Sequence, residues 1–333
     1  MFETLSTLGG GAQVHSVVLG GAGFIGSNLV RALLDRGHRV TVIDNLSRGQ
    51  RQLLPDPDTT PLFSFIQANL ADPRECEAAF EQSAVYPIWE IWHLAANSDI
   101  PAGVRDPNVD LHDTFLTTFE SLRAASRHSV RVYHFASSSA VYGDWHGVPL
   151  RETLGPLRPI SNYGAMKLAS EAQICAAAEA FLGKANIHRF PNVVGVPATH
   201  GVIFDFIGRL ARDPTRLVVL GNGTQQKAYL HVSDLVGAML TVAGRETGPK
   251  IEILNVGAVD AGVTVRWIAE SVVARVSSRA EIVFGEGDRG WLGDVPKFRY
   301  ETERVHSYGW SPKLDSKAAV LRAIDDIARS RGL

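Results

Sequence analysis

The sequence predicts an α/β fold, in which a doubly wound parallel sheet is followed by a smaller α/β lobe. Short aliphatic runs alternate with helix-like segments over the first 190 residues, which is typical of parallel strands joined by crossover helices. The runs show little apolar–polar alternation, as expected for strands buried on both faces. A glycine-rich turn directly follows the first run and opens a helix, an arrangement that dinucleotide-binding folds share.

Each strand is predicted from a short β-branched or aliphatic run, and the runs lie at 14–20, 38–44, 63–68, 88–95, 130–137 and 185–190. Helix-like segments separate them, at 24–37, 73–83, about 109–127 and 162–183. After about residue 190 this rhythm breaks, and loops rich in Gly and Pro separate shorter elements. The apolar segment 232–243 has helical spacing and is expected to return to the first unit.

This organisation predicts a dinucleotide-binding domain and a substrate-binding lobe, each built from two segments of the chain. The first comprises residues 14–192, joined by about 225–258, and the second comprises 193–224 and 259–331. Residues 1–13 lack the basic residues and the apolar stretch of a signal peptide and are expected to form a loose N-terminal tail.

Composition narrows the class of protein. The 333 residues carry 33 Lys+Arg and 35 Asp+Glu, so the basic excess of a nucleic-acid binder is absent and no nucleic-acid partner is expected. The sequence contains no run of about 18 apolar residues, so no membrane span is predicted. The two cysteines, Cys76 and Cys175, suggest a reducing compartment, and hence a cytoplasmic location. No Cys/His spacing indicates a metal site.

The turn from Gly20 to Gly26 has the spacing of a phosphate-binding turn in a Rossmann-type sheet. Glycines permit the tight turn and a close approach to a pyrophosphate, and the helix N-terminus then faces the phosphates. Asp44 ends the second predicted strand 18 residues beyond Gly26, where a carboxylate binds the hydroxyls of an adenosine ribose. An acid there repels a 2′-phosphate and favours NAD over NADP. The alternative is a glycine-rich turn and a strand-end acid without a ligand.

Tyr163 and Lys167 lie four residues apart in a helix-forming segment, which places both on one helical face. A neighbouring ammonium and an oxidised nicotinamide stabilise phenolate, so they are expected to lower the pKa of Tyr163 toward neutrality. The serine run at 137–139 ends a predicted strand in the same lobe and can hydrogen-bond a reacting oxygen. A solvated tyrosine and lysine on a helix surface are the alternative interpretation.

Seven segments in order carry a resemblance to a known family: VVLGGAGFIGSNL, VIDNLSRG, HLAANSD, FASSSAVYG, SNYGAMK, RFPNVVG and DRGWLGDVP. They resemble the extended short-chain dehydrogenase/reductase superfamily, and within it the nucleotide-sugar epimerases of the UDP-galactose 4-epimerase type. The resemblance runs from about residue 14 to the end. The ordered motif set is specific to the superfamily and much less specific to a substrate.

The resemblance implies that Tyr163 is the catalytic base and that Lys167 lowers its pKa while holding the nicotinamide ribose. Ser138 matches the catalytic Ser/Thr, and Ser139 is its neighbour. The cofactor-binding residues that it implies are Gly20, Gly23, Phe24, Ile25, Gly26, Asp44, Asn45, Ser47, Asn69, Leu70, Leu94, Ala95, Ala96, Tyr163, Lys167 and Pro191.

The substrate-binding residues that the resemblance implies are Ser138, Ser139, Asn192, Lys227, Arg289 and Phe298. Lys227 stands where the family usually has Arg, so it keeps the charge but loses the bidentate fork for a diphosphate. Arg289 resembles a second diphosphate arginine in a longer loop. Both residues can alternatively be surface cations. A ring at Phe298 is expected to favour unsubstituted hexoses over N-acetylated ones.

Ser139 and Ala140 occupy the positions where dehydratases of the superfamily have Asp-Glu. Because eliminating water needs an acid and a base, the resemblance implies epimerisation instead, most often at C4 of a UDP-hexose. The steps are hydride removal to a keto intermediate, rotation and hydride return. A dehydrogenase, reductase or dehydratase of the same superfamily is the alternative, and a non-catalytic dinucleotide sensor is a further one. The family also implies a homodimer through the helix near 109–127 and the Tyr163 helix.

Overall fold

The computed structural model describes residues 13–287, 295 and 298–333. Its strands are β1 His15–Leu19, β2 Arg39–Asp44, β3 Phe63–Gln67, β4 Glu90–His93, β5 Val132–Ser138, β6 Lys184–Phe190, β7 Asn192–Val194, β8 Arg216–Val219, β9 Gln226–Lys227, β10 Tyr229–His231, β11 Ile251–Asn255, β12 Val263–Thr264 and β13 Glu281–Phe284.

The α-helices separate these strands along the chain. They are α1 Phe24–Leu34, α2 Pro73–Ser83, α3 Ile100–Arg105, α4 Pro107–Asp110, α5 Thr117–Arg127, α6 Asn162–Ala180, α7 Val202–Arg212, α8 Val232–Ala243, α9 Val265–Val276, α10 Glu303–His306 and α11 Ser316–Ser330. A π-helical turn, Leu111–Leu116, joins α4 to α5.

The main sheet has seven strands in the order β11-β6-β5-β4-β1-β2-β3. Every pair in it is parallel, and the order reverses direction beside β1 and β4. The doubly wound α/β class predicted from the sequence is therefore confirmed. All six predicted strands are present, and β11 is a seventh that the sequence pattern did not separate from its surroundings.

Apolar side chains cover both faces of this sheet, as its mostly unalternated strands predict. On one face, the sheet packs against α2, α5 and α6 through residues such as Phe80, Leu122 and Ile174. On the other, α1 and α8 pack over Val18 and Trp92. Burial on two faces fixes the loops that follow the strands, because each strand end is held by a packed helix.

The second lobe is built around α7, α9 and α11, whose buried faces share a core with β8. Helix α7 has an apolar stripe of Ile203, Phe206, Ile207 and Leu210, spaced as an amphipathic helix requires. Three two-stranded pairs, β10-β7, β12-β9 and β13-β8, complete it.

Late segments of the chain return to the first lobe. Helix α8 packs in the core under α1, and β11 extends the main sheet beside β6. Helix α10 falls within the 259–331 segment expected in the second lobe, yet Val305 and Trp310 lie in the first-lobe core. Their large apolar side chains fill the space beside α8, which the sequence pattern alone did not indicate.

Among the described residues, no helix is long and apolar enough to cross a membrane.

Candidate active site

A cavity of about 800 Å³ opens at the carboxyl ends of the main-sheet strands and extends into the second lobe. Ligands of doubly wound sheets bind at this edge, at the point where strand order reverses. Every predicted site residue except one lines it. The exception, Arg289, lies outside the described residues.

The glycine-rich turn leaves no room for side chains at two of its three key positions. A Cβ on Gly20 would lie 2.6 Å from the backbone nitrogen of Ala95, and one on Gly26 would lie 2.4 Å from the Gly20 carbonyl oxygen. Gly20 also has φ of +75°, which disfavours other residues. Gly23 has room for a Cβ but faces the cavity, and it caps α1 without a side-chain hydrogen bond. The N-terminal N–H groups of α1 are therefore presented to the cavity.

Asp44 ends β2 and is buried against the turn. Its Oδ2 accepts a hydrogen bond from the Ala22 N–H (2.9 Å), and its Oδ1 accepts one from the Leu46 N–H (2.8 Å). Burial raises the pKa of Asp44, and these two hydrogen bonds lower it. The carboxylate is thus held rigidly at the cavity edge, with a further lone pair on each oxygen to accept a hydroxyl.

Asn69 and Leu70 follow β3 and line the same end of the cavity. The Asn69 Oδ1 accepts a hydrogen bond from the Ala71 N–H (3.1 Å), and the Asn69 N–H donates to Glu75 (2.7 Å). The Asn69 side-chain oxygen is therefore already engaged by the protein's own turn, and a ligand at this end of the cavity would share it.

Tyr163, Ser138 and Lys167 come together at the centre of the cavity. Ser161 caps α6 by accepting a hydrogen bond from the Gly164 N–H (3.1 Å), which fixes where the helix begins. Tyr163 and Ser138 line the cavity together and interact there, and the Lys167 Nζ lies 5.8 Å from the centre of the Tyr163 ring. Lys167 itself is buried, and its Nζ donates to the Ala136 carbonyl (2.6 Å).

The protein's own groups do not produce the lowered pKa expected for Tyr163. Burial raises the pKa of Tyr163 to about 12; the hydrogen bond to Ser138 opposes this rise, and the charge of Asp110 adds to it. Burial likewise lowers the pKa of Lys167 to about 7, against the charges of Glu171 and Asp110. The expected activation of Tyr163 therefore depends on positive charge beyond that of the chain itself.

A buried ion pair anchors α6 to the sheet below the cavity. The Arg189 guanidinium donates from Nε (2.9 Å) and from Nη2 (2.6 Å) to the Glu171 carboxylate, and both side chains are about 4% exposed. Ser137 donates to the same carboxylate (2.5 Å), and Arg189 also donates to the Tyr142 hydroxyl (3.0 Å). Since Glu171 lies one turn beyond Lys167, this pair sets the rotation of the helix that carries the Tyr–Lys pair.

The second-lobe side of the cavity contains Asn192, Lys227 and Phe298. Asn192 opens β7 and pairs with Tyr229 in β10, directly after Pro191. Lys227 lies in β9 opposite Val263. The Phe298 ring packs 5.7 Å from the ring of Tyr300. These three residues can contact the part of a ligand that extends away from the dinucleotide turn.

The sequence pattern missed several charged residues near this site. Arg48 and Asp99 line the cavity and form an ion pair (3.6 Å). Asp110 lies beneath it, fully buried. Arg48 directly follows the predicted Ser47, so its position along the chain was a usable signal. Asp110 carried no such signal, because its burial against Asn97, Gly103 and Thr114 appears only in the folded chain.

The residues present fit an NAD cofactor. Gly20 and Gly26 let the turn pack directly against its own backbone and that of Ala95, Gly23 faces the cavity, the α1 N-terminus suits a pyrophosphate, and Asp44 suits an unphosphorylated ribose. Among the residues that the structure describes, no group of three or more His, Cys, Asp or Glu side chains is arranged to hold a metal ion.

The doubly wound sheet, the glycine turn and the Ser–Tyr–Lys cluster define a dinucleotide-dependent enzyme that acts on a hydroxyl or carbonyl carbon. The model of the NAD dependent epimerase/dehydratase family matches residues 16–257. The chain belongs to this family, and its cofactor is NAD.

Individual relatives agree with this assignment. A UDP-glucose 4-epimerase of Corynebacterium glutamicum is 31% identical over 279 residues, which are 76% of this chain and 78% of that protein. A crystal structure of a UDP-galactose 4-epimerase is 35% identical, with a TM-score of 0.83 over 95% of this chain and 99% of that one. The Thermus thermophilus UDP-glucose 4-epimerase, solved in complex with NAD, is 28% identical, with a TM-score of 0.82 over 94% and 99% of the two chains.

Proposed function

We propose that this protein is an NAD-dependent 4-epimerase of a UDP-hexose, with UDP-glucose and UDP-galactose as the favoured pair. The observation that carries the proposal is the Ser138–Tyr163–Lys167 cluster beside the glycine turn, in one cavity that continues into the second lobe. Two relatives named as UDP-glucose 4-epimerases and one named as a UDP-galactose 4-epimerase support the substrate class.

In this proposal, the Tyr163 hydroxyl exchanges a proton with the sugar hydroxyl at the reacting carbon. NAD, when bound, supplies the acceptor and then the donor of the hydride. Ser138 interacts with Tyr163 across the cavity wall and is proposed to orient the same sugar oxygen. The Lys167 ammonium lies under the Tyr163 ring, where its charge favours the phenolate.

The surroundings of Ser138 favour epimerisation over dehydration. The next two residues along the cavity wall, Ser139 and Ala140, carry no carboxyl group, so they cannot supply the acid and base that eliminate water. Epimerisation also requires the keto-sugar to turn over within the cavity of about 800 Å³, so that the hydride returns to the opposite face of the ring.

The second-lobe residues are proposed to hold the nucleoside diphosphate. Asn192 and Lys227 line the cavity at this end, and Arg289 is assigned to the same role from the sequence. Phe298, which lines the cavity, is proposed to limit the space for the sugar, so unsubstituted UDP-hexoses are expected to react faster than UDP-N-acetylhexosamines.

The test is to incubate the purified protein with UDP-, GDP-, dTDP- and CDP-sugars, and to follow the products by NMR while recording NADH absorbance. The expected result is the C4 epimer of a UDP-hexose without net NADH. Net NADH would instead identify a dehydrogenase, and a 4-keto product a dehydratase. The Tyr163→Phe variant is the control for background conversion.

A homodimer is proposed through the helices that flank the active site. Leu111, Phe115 and Phe119 lie four residues apart along the π-turn and α5, and Leu111 and Phe119 are each 38% exposed. A second copy would cover this apolar stripe. Light scattering is expected to give twice the 36.1 kDa chain mass, and the monomer mass would refute the dimer.

A cytoplasmic location is also proposed, because Cys76 and Cys175 are free thiols and a reducing compartment keeps thiols in this state. Fractionation of the source cells tests it, and recovery of the protein outside the cytoplasm would refute it.

A further inference from the structure

Asp110 is a fully buried acid next to the proposed catalytic helix. Its Oδ1 accepts hydrogen bonds from the Asn97 Nδ2 (2.9 Å) and the Thr114 hydroxyl (3.4 Å). Its Oδ2 has no hydrogen-bond partner among the described residues. Burying a carboxylate against neutral partners alone costs free energy, because the charge loses its hydration. A buried Asp110 is therefore expected to have a role that offsets this cost.

The Oδ2 atom of Asp110 packs against Gly103 of α3, the helix that contacts the start of α6. A Cβ on Gly103 would lie 1.7 Å from Oδ2, so only glycine fits there. The Gly103 carbonyl accepts a hydrogen bond from the Asn162 Nδ2 (2.8 Å), and Asn162 directly precedes Tyr163. Contacts therefore run from Asp110 through Gly103 to the residue beside the proposed base.

A second path leads from Asp110 to the Lys167 side of α6. Thr114 donates to Asp110, and the Thr114 carbonyl accepts a hydrogen bond from the Ser170 hydroxyl (3.5 Å). Ser170 lies one turn beyond Lys167, on the same helical face. The acid thus lies alongside the buried ammonium.

Two acids act on Lys167, Glu171 and Asp110, and among the residues that the structure describes Asp110 alone of the two has no cationic hydrogen-bond partner. The Glu171 carboxylate is bound by the Arg189 guanidinium at 2.6 and 2.9 Å, which balances its charge. The hydrogen-bond donors to Asp110 are an amide and a hydroxyl. The charge of Asp110 favours the protonated form of Lys167 and disfavours the phenolate of Tyr163.

We propose that Asp110 is a positioning residue, which fixes the start of the Tyr163 helix and supplies the counter-charge that keeps Lys167 protonated. The inference rests on the proposed roles of Tyr163 and Lys167. The titratable groups that face Lys167 are Tyr163 and Glu171 on α6 and His93 on β4, and Asp113 faces Asp110 from the π-turn.

The direct test is the titration of Lys167 in the holoenzyme, by NMR of protein labelled with ¹³C at the lysine Cε. The Lys167 signal is assigned with Lys167→Arg. In Asp110→Asn, which keeps the shape of the side chain, the midpoint is expected to fall by about one pH unit, a shift of the size that losing one nearby opposite charge produces. An unmoved midpoint would overturn the proposal, whatever substrate the enzyme uses.

The matched control is Asp106→Asn. Asp106 is exposed and caps α4 by accepting a hydrogen bond from the Asn108 N–H (3.0 Å), and asparagine caps a helix equally well. The Lys167 midpoint is expected to stay in place in this variant. Asp110→Ser, smaller and neutral, replaces Asp110→Asn should the latter fail to fold.

Turnover supplies the second readout. Removing the Asp110 charge makes both Tyr163 and Lys167 lose their protons at lower pH, so both limbs of the pH profile of kcat are expected to move to lower pH. A merely structural role would lower kcat at every pH and leave the limbs in place, which would contradict the counter-charge. If the wild type converts no nucleotide sugar, the proposed function fails, while the NMR titration still decides the role of Asp110.

Discussion

The Glu171–Arg189 ion pair offers a quantitative test of how α6 is held. In Glu171→Gln, the amide oxygen can accept one hydrogen bond from the guanidinium, but the second charge-assisted bond and the negative charge are lost. Arg189 stays in the interior, since its side chain is about 4% exposed. Breaking a buried pair from one side costs about 3–5 kcal/mol, so the free energy of unfolding is expected to fall by this amount.

The measurement is urea unfolding of the wild type and Glu171→Gln, followed by circular dichroism, with kcat measured on the same samples. A lower kcat is expected as well, because Glu171 orients Lys167 and its charge raises the pKa of that lysine. Asp325→Asn is the matched control: its partner Arg275 lies at a similar distance (2.9 Å), but the two side chains are 52% and 36% exposed. Exposed pairs contribute about 0–1 kcal/mol.

A loss below about 1 kcal/mol in Glu171→Gln would refute the reasoning, because the buried pair would then contribute no more than a solvated one. A large loss in both variants would also count against it, since burial would not be what distinguishes them.

Three further predictions follow from the site and the core. Tyr163→Phe is expected to fold and retain NAD while kcat falls by about 10²–10⁴-fold, and near-normal turnover would remove Tyr163 as the base. Gly26→Ala places a Cβ 2.4 Å from the Gly20 carbonyl oxygen, so the purified protein is expected to lose most of its NAD, as read from the absorbance of the cofactor released on denaturation; full retention would contradict the close packing. His188 is fully buried, and burial lowers its pKa to about 3. The unfolded chain binds a proton at this histidine near pH 6.5, so protonation favours unfolding below that pH. The free energy of unfolding is therefore expected to fall by up to about 1.4 kcal/mol per pH unit between pH 6.5 and 3. His188→Leu is expected to reduce the pH dependence of the unfolding free energy. An unchanged slope would mean that another group takes up the proton on unfolding.

Local sequence patterns predicted the strands, the helix that carries the Tyr–Lys pair, and the glycine turn. The strands followed from short aliphatic runs, and the adjacency of Tyr163 and Lys167 followed from their spacing of four on a helix. The placement of Gly20, Gly26 and Asp44 at one cavity edge followed from strand–turn–helix order. These features depend on neighbours along the chain, so one sequence suffices to predict them.

The features that the sequence could not predict depend on burial and on contacts that form only in the folded chain. The pKa values of Tyr163 and Lys167 reflect burial, which no local pattern measures. Asp110 acquires its surroundings from Gly103 in α3 and from Asn97 in the loop after β4, and α10 joins the first-lobe core because Val305 fits beside α8. In each case only the folded chain, and not a local sequence pattern, brings the deciding partner into contact.

The place of β11 in the sheet has a consequence for how the protein is made. This strand covers the outer edge of β6, yet its residues leave the ribosome some 60 positions later. Until then, the nascent chain exposes an unpaired β6 edge, and such edges invite pairing with other chains. A chain truncated near residue 200 would keep the glycine turn and the Tyr–Lys pair but lack this covering strand, and it is expected to aggregate rather than yield a minimal cofactor-binding fragment.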